Sequence, residues 1–234
     1  MILLQGGGKR GYSFRQRLPK SGFLPCWFVL PDAFSFPFVC IIQIDLRPLY
    51  PKKDLVHRMD IRKIKAVLFD FDGVIMDTER QYSLFWSRIG KKFLQMDDLD
   101  ARIKGQTLAY IFDTFFAGQA EKRAEITDAL NRFERGMDYE YVPGVLDFVR
   151  SLTDKGVATA VVTSSNELKM AAVYKAHPEV KPMFGHILTA DMFTRSKPAP
   201  DCYLLGMKVC GSAPETTLVF EDSVNGLKAG MAAG

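Results

Sequence analysis

Two acids, Asp70 and Asp72, stand one residue apart at the end of an apolar run, within residues 66–79, Ala-Val-Leu-Phe-Asp-Phe-Asp-Gly-Val-Ile-Met-Asp-Thr-Glu. Carboxylates that close repel one another, and a cation held between them relieves the repulsion. If residues 64–69 form a strand, alternation puts both acids on one side, with Gly73 permitting a bend beyond them. A buried strand has no structural use for two charges at its C-terminal mouth, whereas ligand sites of open α/β sheets lie there. The competing reading is a strand followed by a solvated acidic turn.

Three later stretches favour the first reading. Residues 157–163 are a second β-branched run, ending in Thr163, Ser164, Ser165 and Asn166. Thr217–Phe220 is a third apolar run, ending in Glu221, Asp222 and Ser223, with Gly226 beyond. Lys197 lies between them in Ser-Lys-Pro-Ala-Pro-Asp. Parallel neighbouring strands would bring the tips together, so that Asp70, Asp72, Thr163, Lys197, Glu221 and Asp222 share one crevice. Two carboxylates ~4 Å apart repel by about 4 kcal/mol at an effective dielectric near 20. A site with three or four acids therefore calls for a cation. Mg²⁺, which takes one or two carboxylates together with phosphate and water, answers that need.

The four stretches, in this order, resemble the four motifs of the haloacid dehalogenase-like (HAD) hydrolase superfamily, in particular its phosphatase and β-phosphoglucomutase-like branch, over about residues 61–234. The resemblance implies an α/β fold, a doubly wound and mostly parallel sheet with an inserted α-helical cap. It implies Mg²⁺-dependent hydrolysis of a small phosphomonoester, with a sugar phosphate the first expectation. Unaided, such esters react so slowly that enzymes accelerate them by up to ~10²¹-fold, and a covalent intermediate divides the difficult step in two. By this resemblance Asp70 is the nucleophile that forms an aspartyl-phosphate, and Asp72 is first general acid and then general base. A carboxyl with a modestly raised pKa suits that double role. Thr163 and Lys197 hold the transferring phosphoryl group, with Ser164 beside them as a substrate contact. The metal is held by Asp70, the Asp72 backbone carbonyl and Asp222, with Glu221 reaching it through water.

Residues 78–142 read as helices. Tyr82, Phe85, Trp86, Ile89 and Phe93 recur at helical spacing, as do Leu108, Ile111, Phe112, Phe115 and Phe116, and a third helix carries Ile126, Ala129, Leu130 and Phe133. Stripes this aromatic are expected to be packing core. An insertion here resembles the family's cap, which covers the crevice and selects substrate. Lys104 and Gln106, around Gly105, resemble its substrate-facing loop. In the branch's sugar-phosphate mutases a histidine stands where this chain has Tyr82, and an arginine that grips a second phosphate where it has Leu108. Both differences favour simple hydrolysis over a β-phosphoglucomutase-like transfer. A third reading is an inactive fragment that only binds phosphate or a partner.

The organisation expected is therefore a core of residues 59–77 and 143–234, a cap of 78–142, and an N-terminal extension of 1–58 without function. The net charge of +4 belongs to the extension. Residues 1–58 carry nine Lys/Arg against three acids, and the rest 22 against 24. This balance gives no basis for nucleic-acid binding. Residues 22–42 are strongly apolar, but Pro25, Pro31, Pro37 and Asp32 interrupt them, which argues against a membrane span. Met59 opens a stretch where chains of this family begin, and the resemblance implies a further strand beyond Gly234, so that the chain is expected to stop short of it. The four cysteines show no zinc spacing, and Cys202 and Cys210 are expected to be reduced packing thiols in a cytoplasmic protein.

Overall fold

Apolar runs without a single charge become the centre of a sheet. The computed structural model describes residues 63–234, together with the backbone of two short upstream strands, β1 (Cys26–Val29) and β2 (Val39–Ile42), which pair antiparallel. The remainder of the expected extension, including most of residues 22–42, lies outside the described residues. No helix among the described residues is long and apolar enough to cross a membrane.

Strands β3 (Ala66–Phe69), β4 (Ala158–Val162), β5 (His186–Leu188) and β6 (Thr217–Phe220) form one parallel sheet in the order β5-β4-β3-β6. Their residues alternate between two cores, as the pleat dictates. Val67, Phe69, Val161, Leu218 and Phe220 face helices α5 (Val145–Thr153), α6 (Glu167–Ala176) and α7 (Val180–Met183), packing on Phe148, Leu152, Met170, Val173 and Val180. Leu68, Ala160, Val162 and Val219 face the opposite side. There they meet Tyr203 and Met207 of α8 (Asp201–Val209) and Ala229 of α9 (Val224–Ala232). With both faces covered, the strands can be apolar throughout, and the sheet is doubly wound as expected. From β3 the chain moves through β4 to β5, then returns to place β6 on the other side of β3. That reversal puts the switch point at the C-terminal ends of β3 and its two neighbours, where open sheets hold their ligands.

Between β3 and α5 lie helices α1 (Glu79–Leu94), α2 (Leu99–Ile103), α3 (Leu108–Phe115) and α4 (Ala120–Arg135). They enclose a separate core built on Trp86, Ile89, Leu99, Ile103, Ile111, Phe116 and Ile126, against which Phe85, Phe93, Phe112 and Leu130 pack. The aromatic stripes are thus packing surface. Four helices stand where periodicity predicts three, because the five residues of α2 are too few to show a period. Two linkers join this helical unit to the sheet as an antiparallel pair. Asp77 N–H donates to Glu140 O (2.8 Å), Val142 N–H donates to Ile75 O (2.9 Å), and the Gln81 side chain bonds both the N–H and the carbonyl of Asp138.

Candidate active site

Each strand of the central trio hands its polar tip to the same crevice. Beyond β3 the chain turns back on itself: the N–H groups of Ile75 and Met76 donate to Phe71 O, and Gly73 N–H donates to Met76 O. Gly73 sits at φ +74°, where L side chains are strained, and a Cβ there would overlap the Asp222 carboxylate. The tips of β4 and β6 also start the next helices. Asn166 accepts from Lys169 N–H at the head of α6 (3.0 Å), and Ser223 accepts from Gly226 N–H at the head of α9 (3.0 Å). A Cβ at Gly226 would overlap the carboxylate of Glu221, so this glycine makes the space that acid occupies.

Lys197 stands at the centre of one half of the crevice. Its ammonium, 5% exposed, donates to Asp70 Oδ1 (2.7 Å), Glu221 Oε2 (2.7 Å) and Val162 O (3.1 Å). Burial alone would lower its pKa, but the charges of Asp70 and Glu221 hold it well above the ordinary lysine value. Glu221 is fully engaged: Oε2 accepts from Lys197 and from the Tyr203 hydroxyl, and Oε1 accepts from the N–H and hydroxyl of Ser223. Burial pushes Glu221 up, yet these donors, led by Lys197, bring it below the usual glutamate range.

Asp70 and Asp222 behave oppositely. Burial, then the charge of Glu221, raises Asp70 to about 7 despite Lys197. Burial, then Asp70, Glu221 and Glu79, raises Asp222 to about 8. Among the described residues no side chain or backbone N–H donates to the Asp222 carboxylate. Oxygens of Asp70, Glu221 and Asp222 lie within 4.8 Å of one another. The donor set is all oxygen, crowded and short of positive charge, which fits a hard divalent cation such as Mg²⁺. Lys197, Tyr203 and Ser223 already engage Glu221, so the oxygens of this group with the fewest donors are those of Asp70 and Asp222.

Asp72 lies in the other half and departs from expectation. Its carboxylate accepts from the Thr78 hydroxyl (2.7 Å), the Ser165 hydroxyl (3.1 Å) and, through both oxygens, the ammonium of Lys169. Burial would raise its pKa, but Lys169, then Thr78 and Ser165, hold it below the ordinary value. The modestly raised pKa expected from sequence is therefore corrected: in this state Asp72 is a firmly held carboxylate.

The remaining expected residues are placed as follows. Thr163 is buried at the tip of β4, its hydroxyl accepting from Ser165 N–H (3.0 Å). Ser164 is exposed beside it. Lys104 pairs with Glu79 at 2.8 Å. The loop that carries Lys104 and Gln106 touches the start of α9, where the Asn225 amide donates to Gly105 O (2.7 Å) and Gln106 Oε1 (3.3 Å). Reasoning from sequence missed Lys169, Thr78, Tyr203 and Asn225. Only Lys169 carried a signal, being a lysine in the first turn of a helix, where acids are favoured.

Fold and site together define an open-sheet α/β enzyme with an acidic, lysine-clamped crevice at its switch point. The chain belongs to the haloacid dehalogenase-like hydrolase family, whose profile matches residues 64–234. It is 31% identical over 182 residues to hexitol phosphatase A of Escherichia coli (strain K12), covering 74% of this chain and 81% of that protein. It is 26% identical over 221 residues to a β-phosphoglucomutase of Mycobacterium bovis, covering 80% and 84%. Among solved structures, a HAD hydrolase of family IA, variant 3, from Entamoeba histolytica superposes with a TM-score of 0.62 at 20% identity, covering 73% of this chain and 81% of that one. At that identity the likeness speaks for the fold alone.

Proposed function

We propose that this protein is a Mg²⁺-dependent phosphatase that hydrolyses a small phosphomonoester, with a sugar or polyol phosphate as the favoured class, through a phosphoryl group carried on Asp70. The observation that carries the reading is the Lys197 ammonium clamped between Asp70 and Glu221, with the Asp222 carboxylate beside them. Lys197 holds Asp70 Oδ1, which leaves Oδ2 to attack phosphorus. As that bond forms, the bond to the leaving oxygen breaks, and Asp72 delivers a proton to the departing alcohol. Asp72 then takes a proton from the water that attacks the same phosphorus, and Asp70 and free phosphate are restored. The carboxylate form seen here suits the second step. For the first step Asp72 carries a proton, a state favoured by an incoming phosphate dianion.

Lys197 and the Thr163 hydroxyl stabilise charge on the equatorial oxygens. Asp70, Asp222 and the Asp72 carbonyl would hold Mg²⁺, which would supply Lewis acidity and screen the acids from the phosphate. Residues 78–142 serve as the cap over a core of 59–77 and 143–234. Lys104, Gln106 and Ser164 contact the substrate outside its phosphoryl group.

The relative named hexitol phosphatase A supports the substrate class. The β-phosphoglucomutase relative keeps an intramolecular transfer as the second reading. Leu108 in place of a phosphate-gripping arginine weighs against it, since leucine cannot pair with a second phosphate. The test is a phosphate-release screen over sugar and polyol phosphates with and without Mg²⁺, alongside Asp70→Asn. Release that needs Mg²⁺ and vanishes in the variant supports the reading. Release unchanged in Asp70→Asn overturns it, and isomerisation of a hexose 1-phosphate without release selects the mutase.

A further inference from the structure

Lys169 is a costly charge in an unfavourable place. It occupies the third position of α6, where the helix dipole opposes an ammonium, and its side chain is only 2% exposed. An ammonium persists under such burial only when paired. Its Nζ donates to Oδ1 of Asp72 at 2.6 Å and also to Oδ2. The Tyr82 ring lies 4.9 Å from it and the Phe71 ring 5.8 Å. Tyr82 itself is fixed from α4, its hydroxyl donating to Glu134 at 2.8 Å. The charge of Glu134 also feels Lys169.

A buried pair of this kind is a poor device for stability, because apolar residues of similar volume do as well or better. Orientation is what it supplies. The crevice holds two buried ammoniums, and each is committed to a different aspartate: Lys197 to Asp70 and Lys169 to Asp72. Without Lys169, Asp72 would retain only the two hydroxyl donors, Thr78 and Ser165, and its charge would be drawn toward Lys197. The geometry points to Lys169 as the positioning residue of the acid–base group. It holds Asp72 facing the leaving oxygen and away from the Lys197 clamp, while the helical unit secures it through Tyr82 and Glu134. This assignment rests on the phosphatase reading, and specifically on Asp72 as the group that protonates the leaving alcohol.

The test uses two leaving groups. An alkyl phosphate such as a hexitol phosphate needs the proton, whereas p-nitrophenyl phosphate, whose leaving group is already acidic, scarcely does. The kcat/KM value reports the step in which the leaving group departs. In the full chain with Mg²⁺, Lys169→Met lowers kcat/KM for the alkyl ester by about 10- to 100-fold and for p-nitrophenyl phosphate by less than about threefold, with Lys169→Arg between Lys169→Met and the parent protein. Asp72→Asn shows the same selectivity, and adding Lys169→Met to Asp72→Asn changes neither substrate further, as expected when one residue acts through the other. That double variant carries no unpaired charge, so it keeps the test open if Lys169→Met alone folds poorly.

Equal losses on both esters in Lys169→Met, or additive losses in the double variant, overturn the inference. If Asp72→Asn is selective and Lys169→Met is not, the positioning role alone fails. If Asp72→Asn is not selective, the acid–base reading falls and the inference falls with it.

Discussion

Asp70 and Asp72, two residues apart in sequence, stand in two halves of the crevice that are opposite in character. On the side of β6, burial and then Glu221 raise Asp70 to about 7, and burial and then Asp70 and Glu221 raise Asp222 to about 8. On the side of α6, Asp72 is held below the ordinary aspartate range by an ammonium and two hydroxyls. All three are aspartates at strand tips. The difference lies in the donors around them, and the role follows from the environment rather than the residue type. Crowded, under-compensated oxygens suit a cation and a nucleophile. A carboxylate held at a fixed position suits a base that takes a proton from water.

Asp70→Asn is expected to lower kcat by about 10⁴ or more, since loss of a nucleophile removes the step it performs, while circular dichroism shows the fold intact. Lys197→Met comes next. It leaves Asp70 and Glu221 as unpaired buried charges, so about 3–5 kcal/mol of stability is lost in chemical denaturation, and kcat falls by about 10²–10³.

Metal and pH sharpen the contrast between the halves. Without metal, Asp70 and Asp222 keep protons in the folded state that the unfolded chain releases near their ordinary value of 3.8. The native state therefore binds more protons between about pH 4 and pH 8, and stability falls as pH rises through that window. Mg²⁺ takes the place of those protons, so its stabilisation grows over the same range. At one fixed concentration, ~100 times its dissociation constant at pH ~8, it is expected to raise Tm by about 5–10 °C at pH ~8 and far less at pH ~5. A gain independent of pH would sink the two-halves account.

A control outside the crevice gives the smallest effect. Thr159 Oγ1 in β4 is the one buried side-chain polar atom among the described residues without a hydrogen-bond partner. Thr159→Val should stabilise the protein by ~1 kcal/mol in urea titration and leave turnover unchanged.

Much of this was legible in the sequence because it is local. The run Thr217–Phe220 is a strand from end to end. The apolar run before Asp70 is likewise the strand Ala66–Phe69. Ordered motifs also foretold the meeting of Lys197 with Asp70, although 127 residues separate them. The three residues of β5 and the five of α2 were not legible, being too short to show a period. Nor was the state of Asp72, which depends on Lys169, 97 residues away and outside every motif. A carboxylate's pKa is set by what the fold packs against it, and strand-tip spacing carries no record of that. The same holds for Glu221, whose engagement by Lys197, Tyr203 and Ser223 no strand-tip pattern records.

Whether Asp70 carries the phosphoryl group can be read in Asp72→Asn, mixed with p-nitrophenyl phosphate and Mg²⁺, quenched in acid and digested for mass spectrometry. With the base for the second step removed, the phosphoryl-enzyme should accumulate, and the peptide bearing Asp70 should gain the mass of one phosphoryl group. Nitrophenol release with that peptide unmodified, or with the group on another residue, would contradict the account.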